Sequence, residues 1–168
     1  PFSEPPPEGV EPMRLRTSDG QDIGAWLVNP GAPGPVSPRG GTEGGEAVVL
    51  MLHGNGGSRT AQWRHADPYL RLHHPVMLIS MRAHGDSSGE RNDFGLSSRL
   101  DVMAAVDFLE SRHRPVVIQG VSLGAAAAIF AGPQLGKRVQ GYILECPYQD
   151  LRTAVRHRTQ IYLPPLLD

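Results

Sequence analysis

Short runs of apolar residues recur along the chain, separated by stretches in which apolar and polar positions are mixed. Four of the runs are continuous and predict strands, at 47–52, 76–81, 115–119 and 141–145. Continuous apolar runs of this length are typical of strands covered on both faces, as in a parallel sheet. The pattern therefore predicts a sheet buried between two layers.

The stretches between and after these runs have the pattern of helices. Four helices are predicted, at 58–72, 100–112, 122–131 and 150–162. Ser58 is a candidate cap for the first, and the second places Val106 and Leu109 on one apolar stripe. Strands that alternate with helices at this spacing favour right-handed βαβ units. The predicted fold class is α/β, with a doubly wound, mostly parallel sheet and flanking helices.

The amino-terminal part of the chain has a different pattern. Two strand-like stretches, 13–17 and 23–29, flank the turn Ser18-Asp19-Gly20 and predict an antiparallel hairpin. The segment 30–46 is rich in Gly and Pro and has almost nothing to bury, so we expect a flexible surface loop. A partner-binding proline segment is the alternative. Residues 1–168 are expected to form a single domain that includes this loop.

Composition and charge narrow the classes of partner. The chain has 16 basic and 17 acidic side chains, which gives no electrostatic reason to expect nucleic acid or an anionic membrane. No stretch approaches the roughly 20 apolar residues that span a bilayer. Cys146 is the single cysteine, so an internal disulfide and a cysteine-rich metal site are excluded. The single cysteine is compatible with a reducing compartment, so a cytoplasmic location is favoured. A protein that is membrane-anchored or exported by a segment upstream of Pro1 is the alternative.

The sharpest chemical signal is Gly120-Val121-Ser122-Leu123-Gly124, which lies between a β-rich run and a run of alanines. A G-x-S-x-G motif between a strand and a helix is typical of a nucleophile elbow. The serine sits on a sharp, strained turn, so the residues two positions away must be nearly free of side chain. The start of a helix also favours the negative charge that forms after attack. We interpret Ser122 as a nucleophile; the alternative is a plain Gly-rich turn.

A second Gly-rich motif, His53-Gly54-Asn55-Gly56-Gly57, directly follows the first buried strand. An oxyanion hole needs a second backbone N–H, and a Gly-rich turn lets the main chain approach a substrate closely. The candidate donors are the N–H groups of Leu123 and Asn55. The turn residues expected to line the substrate are His53, Gly54 and Gly56. Dinucleotide and P-loop motifs fail here, because Arg59 replaces the last required glycine and no Lys follows.

Three motifs in order resemble a known family. The His-Gly-Asn-Gly-Gly turn is followed by 82–89 (Arg-Ala-His-Gly-Asp-Ser-Ser-Gly) after the next strand, and then by Gly-Val-Ser-Leu-Gly. This succession resembles the α/β-hydrolase superfamily, in its esterase, lipase and acyl-peptidase-like branch of serine hydrolases. Glu145-Cys146-Pro147-Tyr148 also resembles that branch. The resemblance implies a sheet of eight strands and hydrolysis of ester, thioester or amide bonds without a cofactor.

In that family the catalytic triad follows the order Ser, acid, His. One predicted strand follows Ser122, so the resemblance implies that the acid and the histidine lie beyond a truncated chain, which would be nearly inactive alone. Its last strand would then be an open sheet edge, which invites aggregation. Glu145 and Asp150 are candidate acids, with capping or loop bracing as the alternative. His157 is expected to be a solvated helix residue.

Two functions therefore stay open. The first is a serine hydrolase, in which Ser122 attacks a small-molecule or acyl substrate and a histidine outside this chain is the general base. The second is a non-catalytic hydrolase-like binding or scaffold module. No metal site is expected, and the oligomeric state is undetermined. Near the motifs, we expect Arg82 to anchor its loop, His84 to lie at the site rim, and Cys146 to be a buried thiol.

Overall fold

The computed structural model describes residues 5–8, 10–30, 47–148, 152–153 and 156. The strands are β1 Glu11–Arg16, β2 Asp22–Val28, β3 Val48–Leu52, β4 Val76–Ser80, β5 Val116–Val121 and β6 Val139–Glu145. The helices are α1 Arg59–Arg71, α2 Arg99–Ser111 and α3 Leu123–Leu135, and a 3-10 turn, Gly136–Arg138, precedes β6.

Two predicted segments fall largely outside the described residues. The predicted surface loop 30–46 is described at Pro30 alone. The predicted helix 150–162 is described at residues 152, 153 and 156, which are helical. Both segments, and the assignment of residues 1–168 to a single domain, stay predictions.

The strand order places the two Gly-rich motifs side by side. The strands lie in the order β1-β2-β4-β3-β5-β6, with β4, β3, β5 and β6 parallel. The strands β1 and β2 form an antiparallel pair, and β2 also pairs antiparallel with β4. The predicted doubly wound, mostly parallel α/β sheet with an amino-terminal hairpin is confirmed.

The direction of winding reverses between β3 and β5. The chain runs outward from β3 to β4 and then returns across β3 to β5. In open α/β sheets such a reversal leaves a crevice at the carboxyl ends of the strands, where ligands bind. The His53–Gly57 turn follows β3 and Ser122 follows β5, so both motifs lie at this crevice.

A hydrophobic cluster packs on each face of the sheet. Helix α1 covers the face that carries Trp26, Met51 and Leu78. Helices α2 and α3 cover the opposite face, which carries Leu50 and Ile79. The strands β3 and β4 are buried at every position, which explains why their sequences are continuous apolar runs.

Strand β6 lies at one edge of the sheet that the described residues form. In the described part of the chain it pairs with β5 alone, and Tyr142 and Ile143 are exposed on it. Among the helices that the structure describes, none has the length and hydrophobicity needed to cross a lipid bilayer.

Ser58 occupies the predicted N-cap position of the first helix, but it does not cap the helix with its side chain. Ser58 is the N-cap residue with extended backbone, but its side chain makes no capping hydrogen bond. The N–H of Arg59 instead donates to Ser80 Oγ at 3.1 Å. A serine at the end of β4 therefore satisfies the first donor of α1 and ties the helix to the carboxyl end of the sheet.

Candidate active site

Ser122 occupies a strained turn between β5 and α3. Its backbone angles are φ 50° and ψ −106°, a region that residues with a side chain rarely adopt. Two hydrogen bonds hold the turn: Ser122 N–H donates to the carbonyl of Glu145 at 2.9 Å, and Ala126 N–H donates to the carbonyl of Ser122 at 3.0 Å. The serine is thus fixed between the end of β6 and the first turn of α3.

The two flanking glycines are required by close packing. A Cβ on Gly124 would lie 2.6 Å from the carbonyl carbon of Leu52, the last residue of β3. A Cβ on Gly120 would lie 2.7 Å from the carbonyl carbon of Gly124. These separations are far below van der Waals contact, so α3 can start here only against side-chain-free neighbours.

Relief of the strain at Ser122 should be measurable as stability. Ser122→Gly is expected to raise the free energy of unfolding by about 1 kcal/mol. Strain of this kind costs on the order of 1–3 kcal/mol, and glycine removes it while adding roughly 0.5–1 kcal/mol of entropy to the unfolded chain. Urea unfolding measures the difference. Ser122→Ala is the control, since alanine keeps the strain. Equal free energies of unfolding for the glycine and alanine variants would contradict the prediction.

The turn that follows β3 is held by its own histidine. The ring of His53 is buried, and its Nε2 accepts a hydrogen bond from Met81 N–H at 3.0 Å. The ring proton therefore lies on Nδ1, which donates to the carbonyl of Gly54 at 2.8 Å. Because both ring nitrogens are occupied, His53 positions the turn and is not placed to accept a proton.

The same hydrogen bonds orient the amide of Asn55. The Gly54 carbonyl accepts from His53 and also from Gly57 N–H at 3.0 Å. In a trans peptide the C=O and the following N–H point in opposite directions. Fixing the Gly54 oxygen on one side therefore directs Asn55 N–H to the other side. A Cβ built on Gly54 would lie 3.8 Å from Ser122 Cβ, so this peptide lies beside the elbow.

Two backbone donors are available next to the serine. Leu123 is the first residue of α3, so its N–H has no partner within the helix. Among the described residues, neither Leu123 N–H nor Asn55 N–H has an acceptor. The structure thus brings Ser122, Leu123 and Asn55 to one place, and their assignment as nucleophile and oxyanion donors stays a prediction. Gly56 has φ 75°, and nothing lies within 4 Å of a Cβ built on it. The expectation that His53, Gly54 and Gly56 line the substrate stays a prediction.

Glu145 lies at the end of β6, and its carboxylate is already bound. Gln119 Nε2 donates to Glu145 Oε1 at 2.7 Å. Gln119 lies opposite Met51 in the β3–β5 register, and Met51 belongs to the cluster under α1, so this contact is on the α1 face of the sheet. This contact favours the loop-bracing alternative, and the role of Glu145 as a triad acid stays a prediction. Asp150 and His157 lie outside the described residues.

The expectation of a buried Cys146 is wrong, because this side chain is exposed. The residue follows the edge strand β6 and has a positive φ of 49°. The chain therefore turns away from the sheet at this point instead of continuing under cover.

The loop that follows β4 is anchored by Arg82, as predicted. Arg82 is buried, and its Nε donates to Asp101 Oδ1 at 2.9 Å while its backbone N–H donates to Asp101 Oδ2 at 2.8 Å. Its Nη1 donates to Asp19 Oδ2 at 2.7 Å, and this bond lowers the pKa of Asp19 to about 2. His84 from the same loop packs its ring 4.9 Å from that of His53, at the rim of the site.

A second buried arginine was not anticipated from the sequence. Arg59 pairs with Asp86 through Nη1 at 2.5 Å and Nη2 at 2.8 Å, and its guanidinium lies 4.9 Å from the ring centroid of Trp26. A Cβ on Gly24 would collide with this pair, so Gly24 provides the space for it. The pair joins the start of α1 to the loop after β4. No local signal identifies it, because the partners are 27 positions apart.

No group of three or more His, Cys, Asp or Glu side chains in the described part of the chain is arranged to hold a metal ion. The described residues bring to the crevice a hydroxyl, two main-chain donors and a helix amino terminus. The positive end of the helix dipole favours an anion at this point.

Among curated proteins, the chain is similar to YqkD of Bacillus subtilis (strain 168), with 29% identity over 71% of this chain and 42% of that protein. It is 32% identical to the lysophosphatidylserine lipase ABHD12 of Gallus gallus, over 65% of this chain and 30% of that protein. The chain therefore spans less than half the length of either relative.

Solved structures share the fold. The esterase Pf2001 of Pyrococcus furiosus matches with a TM-score of 0.71 at 21% identity, over 97% of this chain and 63% of that one. XC6422 from Xanthomonas campestris, an a/b serine hydrolase without lid, matches with a TM-score of 0.64 at 17% identity, over 84% of this chain and 63% of that one. A sequence model of the family described as alpha/beta hydrolase fold matches residues 47–163 of this chain. The chain belongs to the alpha/beta hydrolase fold family.

Proposed function

We propose that the full-length protein is a serine hydrolase that cleaves an ester, thioester or amide bond through an acyl-enzyme on Ser122. The observation that carries the proposal is the strained serine at the start of α3 beside the Gly54–Asn55 peptide. A strained residue persists only where the surrounding structure imposes it, and such residues cluster at active sites.

The reaction follows from this geometry. Ser122 Oγ attacks the carbonyl carbon of the substrate, and its proton passes to a general base. The carbonyl oxygen becomes an oxyanion, which Leu123 N–H and Asn55 N–H stabilise by hydrogen bonding. The tetrahedral intermediate expels the leaving group, which takes the proton from the base. Water then attacks the acyl-enzyme in the same way and releases Ser122.

The proposal assigns the general base and its acid to residues outside 1–168. The His53 nitrogens are both hydrogen-bonded, and the Glu145 carboxylate is bound by Gln119. The curated relatives are more than twice as long as the part that this chain matches, so they have further residues to supply both groups. Residues 1–168 alone should show little hydrolysis, because a serine hydroxyl without its base is a weak nucleophile.

Carboxylic esters are the first substrates to test. One relative is a lysophosphatidylserine lipase and one structural neighbour is an esterase. Both names describe acyl esters, and we extend that substrate class to the present protein as part of the proposal.

An alkyl fluorophosphonate probe tests the proposal directly. We expect the folded full-length protein to be labelled at one serine, which peptide mass spectrometry identifies as Ser122. Heat-unfolded protein provides the control, because the activated serine depends on the folded elbow. Absence of labelling in well-folded protein would support the non-catalytic binding or scaffold module instead.

A further inference from the structure

The loop between β4 and α2 contacts the turn that follows β3 at Met81 and His84, and also through a pair of asparagine side chains. Asn92 Nδ2 donates to Asn55 Oδ1 at 2.6 Å, although the two residues are 37 positions apart. Asn92 Oδ1 in turn accepts from Phe94 N–H at 3.0 Å. A backbone N–H can only donate, so this second bond fixes which end of the Asn92 amide faces Asn55.

The segment that carries Asn92 is itself fixed on α3. Asp93 Oδ1 accepts from Ser97 N–H at 2.9 Å, and the carbonyl of Phe94 accepts from the hydroxyl of Tyr148. Gly95 has φ 100° and packs so closely that a Cβ there would lie 3.0 Å from Ala127 N. Asn92 is therefore anchored to the helix whose first residue, Leu123, supplies the other candidate donor.

The turn needs such a restraint because it offers few side chains of its own. Gly54, Gly56 and Gly57 have none, and nothing lies within 4 Å of a Cβ placed on Gly56. The Gly54 carbonyl is held by its hydrogen bond from His53. The Asn55 side chain provides a second point of restraint on this peptide, and Asn92 holds it by a hydrogen bond.

We infer that Asn92 is a positioning residue for the oxyanion hole, which it aligns by holding the Asn55 side chain against the α3-anchored loop. This inference rests on the proposed serine hydrolase. The residue touches neither the substrate nor the reacting atoms, and it acts through Asn55 alone. Oxyanion donors stabilise charge that exists only in the transition state, so their misalignment lowers kcat and leaves KM nearly unchanged.

Asn92→Ser separates this role from a general role in the loop. The serine hydroxyl keeps an acceptor for Phe94 N–H, two positions further on, adds no charge, and is too short to reach Asn55. Removal of a whole oxyanion donor costs roughly 10²–10³ in turnover, so loss of alignment alone should lower kcat about tenfold. We expect KM for a p-nitrophenyl ester to stay within about twofold and the melting temperature to be unchanged. Glu90→Gln, an exposed residue of the same loop, is the matched control and should leave kcat unchanged.

A double-mutant cycle tests whether Asn92 acts through Asn55. Asn55→Ala removes the acceptor and keeps the backbone N–H, while Asn92→Ala removes the donor. If both act through one bond, the double variant is no slower than the slower single variant. Losses in kcat that multiply in the double variant, or an unchanged kcat in Asn92→Ser, would overturn the inference.

Labelling at Ser122 distinguishes this failure from failure of the proposed function. If the wild-type full-length protein reacts with the fluorophosphonate and the Asn92 variants hydrolyse ester at the wild-type rate, the inference alone is wrong. If Ser122 in folded wild-type protein does not react, both proposals are wrong.

Discussion

Ser122→Ala is expected to lower the turnover of a carboxylic ester by the full-length protein by roughly 10⁶-fold, the order of loss known for nucleophile removal in serine proteases. In the proposed mechanism the Ser122 hydroxyl forms the acyl-enzyme, so its removal leaves the reaction without its nucleophile. Steady-state hydrolysis of a p-nitrophenyl ester measures the loss. The residual rate reports what the oxyanion donors and substrate binding achieve without the nucleophile.

The control for this variant is Ser111→Ala. Ser111 ends α2, at the opposite end of the sheet from the crevice, and its hydroxyl donates to the carbonyl of Phe108. We expect full activity from this variant. Ser122→Ala should unfold like the wild type, because alanine keeps the same backbone angles. A folded Ser122→Ala protein that retained more than about 1% of turnover would show that another residue is the nucleophile.

The parts of the site that the sequence predicted are those determined over short distances. Ser122 and its two glycines lie within five positions, and steric requirements at Gly120 and Gly124 dictate the motif. The buried strands β3 and β4 were predictable for a similar reason, since burial on both faces leaves only apolar residues. The order of motifs along the chain then placed the Asn55 turn beside the serine.

The parts that the sequence did not predict depend on pairs distant along the chain. Arg59 and Asp86 carry the residue types of a solvated surface, yet they form a pair in which the arginine is 4% exposed. Asn92 is an unremarkable loop residue until its contact with Asn55 is known. Such pairs follow no local period, because the fold and not the spacing brings them together.

Two local predictions failed because their outcome depends on the position of neighbouring elements, which the local sequence does not reveal. Ser58 occupies the N-cap position, but Ser80 at the end of β4 reaches the first helical donor instead. Cys146 follows an apolar strand, which predicted burial. Its strand lies at the edge of the sheet, however, and the thiol is exposed.

Asp101→Ala is expected to have the largest effect on stability, a loss of about 3 kcal/mol. Asp101 is fully buried and accepts hydrogen bonds from the guanidinium and the backbone N–H of Arg82. Removal of one partner from a buried ion pair typically costs about 3–5 kcal/mol, because the other charge is left buried. Asp19 still pairs with Arg82 from the surface side, so the Arg82 charge keeps one partner. The expected loss of stability is therefore at the lower end of this range.

Urea unfolding of Asp101→Ala and two comparison variants measures this loss and its cause. Asp107→Asn on the same helix is the control, since Asp107 is 62% exposed in its pair with Arg138 and should cost less than about 1 kcal/mol. The double variant Arg82→Met/Asp101→Leu removes both charges and leaves the backbone N–H of residue 82 without its acceptor. It should therefore be more stable than Asp101→Ala and less stable than the wild type, since an unpaired buried donor costs roughly 1–3 kcal/mol. Equal stability of Asp101→Ala and Asp107→Asn would mean that this pair does not anchor the loop beside the candidate active site.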